Sequence, residues 1–225
     1  MVYSSYLEIV AFPTEIQINA IRNAGLNKDI KLGAQAVSTH GFGAYTGEST
    51  TEQLLDGGAD WALIGHSERR TFFGESDEVC VKKLKRTMES NLKVVYCIGE
   101  SLQDRENDVT NDVLAHQLKG FKDTVTKWDN LVIAYEPVWA IGTGKVASPE
   151  QAEDAHKFIR QYLSKHIGTS VAEAMRIIYG GSVNGSNAKE IIGKQNIDGF
   201  LVGGASLKED FVKIADAIVQ ARLTQ

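Results

Sequence analysis

Glu136 ends an apolar run, Leu131 to Tyr135, and opens the segment Pro137-Val138-Trp139-Ala140-Ile141-Gly142-Thr143-Gly144. In a parallel α/β protein, chemistry sits at the carboxyl ends of strands. A carboxylate placed there can move a proton. The apolar stretch between Pro137 and Gly144 reads as a lid that swings over a site and excludes water. The same residues would also suit an ordinary βα loop in which Glu136 caps the next helix.

A second apolar run ends in Ile64-Gly65-His66-Ser67-Glu68-Arg69-Arg70, which puts His66 at a strand end just before a helical turn. The partial positive charge of a helix amino terminus disfavours the imidazolium, so His66 is expected as a neutral hydrogen-bond donor. His40, His116, His156 and His166 show no metal-ligand spacing and read as surface residues, and neither a metal nor a cofactor is implied.

Three glycine-containing turns follow later strands: Gly142-Thr143-Gly144, Gly180-Gly181-Ser182 and Gly203-Gly204-Ala205-Ser206. Glycine lets backbone N–H groups approach an anion closely, and Ser182 adds a hydroxyl. Tight turns would explain each pair alone, but two on consecutive final strands suit a phosphate. One base, one neutral donor and one anion cradle fit proton abstraction beside the carbonyl of a small phosphorylated sugar. Glu136 would move the proton, and His66 would polarise the carbonyl.

These residues need strands to position them. Strand-length apolar runs occur at Leu7–Phe12, Ile30–Gln35, Trp61–His66, Lys93–Ile98, Leu131–Glu136, Arg176–Gly181 and Gly199–Gly204. They are near-continuous rather than alternating, as in strands buried on both faces of a parallel sheet. Amphipathic stretches lie between them, at Glu15–Ala24, Ser76–Ser90, Asn107–Lys127, Ser148–His166 and Leu207–Ala221, with shorter ones at Ser49–Asp56 and Ser186–Lys194. Ser148-Pro149 is a helix start, with Ser as cap and Pro at the first helical position. The alternation predicts a parallel α/β sheet, open or closed into a barrel, in one domain over 1–225. Seven β/α units fit, and an eight-stranded barrel needs one more.

Composition narrows the function classes. A net charge of −5 without a Lys/Arg cluster argues against nucleic acid as partner. No apolar run approaches the roughly 20 residues of a membrane helix, and the first residues lack a signal-peptide pattern. Cys80 and Cys97 are too few for a disulfide framework or a zinc site, which points to a reducing cytoplasm.

The motifs Gly65-His66-Ser67-Glu68-Arg69-Arg70, Tyr135-Glu136-Pro137-Val138-Trp139-Ala140-Ile141-Gly142-Thr143-Gly144, Tyr179-Gly180-Gly181-Ser182-Val183-Asn184 and Leu201-Val202-Gly203-Gly204-Ala205-Ser206-Leu207 resemble the triosephosphate isomerase family, in family order and spacing. The resemblance runs from about Leu7 to the carboxyl end. It implies a (β/α)8 TIM barrel without cofactors that interconverts dihydroxyacetone phosphate and glyceraldehyde 3-phosphate, a step of glycolysis and gluconeogenesis. By that resemblance Glu136 is the base and His66 the electrophile, roles carried over from the family. Gly142, Ser182, Gly203 and Gly204 would hold the phosphate, and Glu68 is a supporting carboxylate. The segment Gly41-Phe42-Gly43-Ala44-Tyr45-Thr46-Gly47-Glu48 is similar to the loop with which family subunits reach into each other, implying a homodimer.

The front of the chain departs from the pattern. The family opens with a strand ending in Gly-Asn-x-Lys, whose Asn and Lys contact substrate, and then a helix. Residues 1–12 here match the second strand, no Gly-Asn-x-Lys occurs, and Phe12 stands before Pro13 where the family has another proline. The expectation is a seven-unit, truncated form lacking the first strand and helix, with impaired turnover. Its alternative is a non-catalytic phosphate-binding or regulatory protein derived from an incomplete barrel.

Overall fold

Runs of Val, Ile, Leu and Ala pair side by side because strands of this composition can bury both faces. The computed structural model describes residues 6–141 and 146–224. In chain order the strands are β1 (Ile9–Ala11), β2 (Ile30–Ala34), β3 (Trp61–Ile64), β4 (Lys93–Ile98), β5 (Leu131–Tyr135), β6 (Arg176–Tyr179) and β7 (Gly199–Phe200). The helices are α1 (Glu15–Asn23), α2 (Thr51–Asp56), α3 (Ser67–Phe73), α4 (Asp77–Met88), α5 (Leu102–Glu106), α6 (Thr110–Leu118), α7 (Phe121–Thr124), α8 (Pro149–His166), α9 (Thr169–Ala174), α10 (Ala188–Ile192) and α11 (Asp210–Leu223). Every described strand pair is parallel, as the continuous apolar runs require. None of the described helices is long and apolar enough to cross a membrane.

The chain divides into two compact bodies. The amino-terminal body holds 8–97 and 120–131, with β1 to β4 paired in chain order. All of β3 is buried, whereas β1 is half-buried to exposed. Leu32, Trp61, Leu84 and Tyr96 form its core, and Phe121 of α7 meets the Tyr96 ring edge-on at 4.9 Å. The Phe12 ring fills the space over Gly33, where a Cβ would stand 2.2 Å away from it. A buried carboxylate, Glu75, ties α3 to α4. It accepts from Arg69 at 2.5 Å and Lys83 at 2.6 Å. Burial alone would raise this carboxyl, but the two cations outweigh it and hold it below the usual carboxylate range.

The carboxy-terminal body holds 98–119 and 132 onward together with Tyr6 and Leu7, and β5, β6 and β7 are paired in chain order. All of β5 is buried. The expected start of α8 is present: Ser148 accepts from the Gln151 N–H, Gln151 accepts in return from the Ser148 N–H, and Pro149 is the first helical residue. Two helical expectations change. Asn107–Lys127 breaks into α6 and α7 at Lys119-Gly120, where a Cβ on Gly120 would press on Val81. Leu207–Ala221 becomes a short 3-10 turn, Gly204–Leu207, followed by α11.

His156 corrects the surface reading of the histidines. It sits on the inner face of α8, fully buried, with its ring edge-on to Tyr135 at 5.7 Å. Its Nδ1 lies 3.2 Å from the Asn196 carbonyl oxygen. Burial pulls its pKa from 6.5 down to about 3, with the Asn196 bond opposing and the Arg160 charge adding to the fall. Between these values the unfolded chain binds the proton and the folded chain does not. Stability contributed by neutral His156 is therefore complete above about pH 6.5 and is lost as pH falls toward 3. At about 1.4 kcal/mol per pH unit the loss amounts to several kcal/mol. Urea unfolding followed from pH 7 to pH 4 is expected to show this decline, and His156→Asn should flatten it while lowering stability at pH 7. An unchanged slope in the variant would remove His156 as the source.

Candidate active site

Glu136 follows the last residue of β5 and is 2% exposed. Two backbone bonds set its position. The Glu136 N–H donates to the Ile98 carbonyl at 2.7 Å, and the Gly180 N–H donates to the Tyr135 carbonyl at 2.7 Å. The ends of β4, β5 and β6 are thereby drawn together around one carboxylate. That approach leaves no room for side chains beside it. A Cβ on Gly99 would stand 1.7 Å from the Glu136 carbonyl oxygen, and one on Gly180 would stand 3.0 Å from Glu136 Cγ. A Cβ on Gly181 would crowd the Tyr179 ring and Pro137. The Gly180-Gly181 pair is thus required for packing around the base, a different reason for glycine from the anion approach that the sequence suggests.

The segment after Glu136 is anchored from below. Val138–Ala140 forms one 3-10 turn, and the Val138 N–H donates to the Glu100 carbonyl at 3.2 Å. The Glu100 side chain is fully buried. Its Oε1 accepts from Trp139 Nε1 at 2.8 Å and from the Tyr135 hydroxyl at 3.1 Å. Burial, and then the Glu100 charge, push the Tyr135 phenol well above its ordinary value, so it stays a donor. Ser182, after β6, donates its hydroxyl to the Ala140 carbonyl at 3.3 Å, and Asn187 holds the Ser182 carbonyl at 3.2 Å. Gly203 and Gly204 open the turn after β7, and a Cβ at either would meet nothing within 4 Å. Gly142 lies outside the described residues, as does the rest of 142–145.

In the amino-terminal body, His66 follows β3 and caps α3, with its side chain 25% exposed. The Glu68 N–H lies 3.4 Å from His66 Nδ1 and donates to it. The Glu68 carboxylate lies 3.8 Å from the same Nδ1, but it is two-thirds exposed and solvated. Arg70 fixes the turn that presents His66. It donates to the Gly65 carbonyl at 2.7 Å, to the Cys97 carbonyl at 3.2 Å and to Asp77 at 2.6 Å. Gly65 has φ +73°, the left-handed region open to glycine.

A family model described as triosephosphate isomerase matches residues 2–218. The chain belongs to the triosephosphate isomerase family. It is 50% identical over 208 residues to the triosephosphate isomerase of Candida albicans, covering 92% of this chain and 84% of the relative. It is 48% identical to the chloroplastic triosephosphate isomerase of Secale cereale, covering 98% of this chain and 74% of the relative. It is 50% identical to the triosephosphate isomerase of Taenia solium, covering 84% and 77%.

In this member of the triosephosphate isomerase family, sequence reasoning missed Gly99, Glu100 and Arg70. A usable signal existed for Glu100. It follows an apolar strand, Lys93–Ile98, much as Glu136 follows β5. Replacing Gly99 with Ala is expected to displace the end of β5, because the clash is with backbone that cannot rotate away. A displacement of that order costs roughly 10² in turnover. Gly180→Ala, whose Cβ would stand 3.0 Å from Glu136 Cγ and 3.2 Å from the Tyr135 carbonyl oxygen, should cost less. Steady-state kinetics of the two variants check the order, and equal losses would contradict it.

Proposed function

We propose that this protein interconverts dihydroxyacetone phosphate and glyceraldehyde 3-phosphate by enediolate proton transfer, with Glu136 as base and His66 as electrophile. The observation that carries the reading is Glu136 itself: a carboxylate 2% exposed, fixed by Ile98 and Gly180 at the carboxyl end of a parallel strand, in a triosephosphate isomerase family chain. Glu136 takes a proton from the substrate carbon beside the carbonyl. The oxygen that becomes anionic accepts from His66 Nε2–H; a proton then passes between the two enediol oxygens by way of His66, and Glu136 delivers its proton to the neighbouring carbon, which leaves the carbonyl on the other carbon. Ser182, Gly203 and Gly204, with Gly142, hold the phosphate through a hydroxyl and backbone N–H groups, and Glu68 supports His66 through its backbone bond. Excluding water around Glu136 delays loss of phosphate from the intermediate.

The assembly is a homodimer, formed through the Gly41-to-Glu48 loop. Support comes from Phe42, which is 73% exposed, and from Tyr45, whose ring stacks on His40 at 3.9 Å. Two buried free thiols, Cys80 and Cys97, suit a reducing compartment, which we take to be the cytoplasm. By resemblance, the 225 residues correspond to the later seven of the family's eight β/α units. Support for that correspondence is the match of residues 1–12 to the family's second strand. Identity of about 50% to relatives named as the isomerase does not favour a non-catalytic phosphate-binding protein.

Glu136→Gln keeps the shape and removes the base, so turnover should fall by at least about 10²–10⁴, while a phosphate-bearing substrate analogue still binds. Turnover near the parental rate in a coupled assay would dismiss Glu136 as the base. Joining a family-like first β/α unit ahead of Tyr6 is expected to raise turnover well above that of the 225 residues alone. The same fusion with Ala for its Gly-Asn-x-Lys lysine should fold yet stay slow, by about 10²–10³ or more. Fast turnover by the 225 residues alone would refute the seven-unit assignment.

A further inference from the structure

Two connections of the carboxy-terminal body share the phosphate cradle. Ser182 lies after β6, and Gly203 and Gly204 open the turn after β7. Both can hold one dianion only while the spacing between them is fixed. The strands end at Tyr179 and Phe200, short of Ser182 and Gly203, and the Leu201 N–H donates to the Tyr179 carbonyl at 2.9 Å just beyond. Farther out the two connections meet at Asp210, the first residue of α11, which follows the Gly203 turn. Its Oδ2 accepts from the Gly185 N–H at 2.7 Å, and its Oδ1 lies 3.4 Å from Lys213 Nζ, one turn along the helix. Gly185 belongs to a loop that is bonded to itself. The Asn184 side chain accepts from the Ser186 N–H at 2.9 Å; the Asn187 side chain accepts from the Asn184 N–H at 2.8 Å and donates to the Ser182 carbonyl at 3.2 Å. A pull on Gly185 therefore reaches Ser182. In the same part of the fold Val183, Ala188 and Ile214 are buried together, with Val202 and Ala205 packed against them.

We propose that Asp210 is a positioning residue for phosphate binding: by gripping the Gly185 N–H from the start of α11, it sets the distance between the Ser182 hydroxyl and the backbone N–H groups of Gly203 and Gly204. This role rests on the reading of those three residues as the phosphate cradle. A carboxylate accepting from a backbone N–H makes a charge-assisted bond, about twice as strong as a neutral one. The Gly185 bond first, and after it the charges of Lys213 and Lys208, hold the Asp210 carboxyl below its ordinary range, so it accepts as an anion at neutral pH. The approach is close enough to exclude a side chain: a Cβ on Gly185 would stand 2.7 Å from Asp210 Oδ1 and 2.7 Å from Lys213 Cδ. An acidic residue in a first turn also favours the helix whatever else it touches. Phosphate tells the two roles apart by sign. Removing a carboxylate near an anion strengthens anion binding, unless that carboxylate was keeping the cradle in shape.

Inorganic phosphate titrated into the 225-residue protein and followed by NMR reads binding without turnover. Asp210→Ala is expected to weaken phosphate binding roughly tenfold, for the loss of one charge-assisted bond, and to speed solvent exchange of the Gly185 amide proton. Asp210→Asn keeps an acceptor oxygen while giving up the charge, and should bind phosphate within about threefold of the parent. Gly185→Ala pushes the loop away from α11 and should weaken binding in the same direction; it decides the matter where Asp210→Ala does not fold. A residue that served only the end of the helix would lower thermal stability in Asp210→Ala and leave phosphate binding parental or tighter, which overturns the proposal. Binding in Asp210→Asn as weak as in Asp210→Ala overturns it as well. Gly203→Leu tests the cradle separately. Parental phosphate binding in that variant places the cradle elsewhere and removes this role with it, whereas binding lost there but parental in Asp210→Ala removes the role of Asp210 alone.

Discussion

The close approach of three strand ends in the carboxy-terminal body governs what Glu136 can do. Backbone bonds from Glu136 to Ile98 and from Gly180 to Tyr135, both 2.7 Å, draw β4, β5 and β6 together where the carboxylate emerges. Parallel strands have evenly spaced, slanted bonds, so register along β5 passes directly to the residue after it. The cost is steric: only glycine fits at 99, and a Cβ at 180 would press on Glu136 itself. Positioning here is a property of backbone packing, and a base held by backbone loses little freedom when the substrate arrives.

A second layer of control is electrostatic. Glu100 lies beneath the segment that follows Glu136 and binds it by the Val138 N–H and the Trp139 indole. Burial strengthens those bonds, and the Arg105 guanidinium lies 3.4 Å from Glu100 Oε1. The amino-terminal body also relies on one arginine. Arg70 gathers the carbonyls of Gly65 and Cys97 and the carboxylate of Asp77, so the turn that carries His66 is set by one largely buried fork of donors.

The two bodies also share a rule for buried ionisable groups. Glu75 is charged because Arg69 and Lys83 reach it, whereas the bond His156 makes is to a backbone carbonyl and the charge beside it is that of Arg160, so it stays neutral. Burial drives both groups toward their neutral forms, and the partner decides the outcome. That difference makes the histidine the acid-sensitive point of the carboxy-terminal body.

By itself the sequence determined the parallel α/β class, the seven strand positions and the carboxylate and imidazole at strand ends, because burial on both faces writes a local, continuous pattern. The capped start at Ser148-Pro149 was legible for the same reason: cap, proline and helix are adjacent in the chain. Only tertiary structure decided which glycines are obligatory and why. Gly99 and Glu136 are far apart in sequence, and nothing local to Gly99 announces a carbonyl where its side chain would be. It likewise decided that His156 is buried, since an amphipathic helix shows which residues share a face but not how deep that face lies. Glu100 and Arg105 became meaningful only with Tyr135 and Trp139 above them, because a charge acquires its role from the dielectric and the partners around it, and both are made by folding.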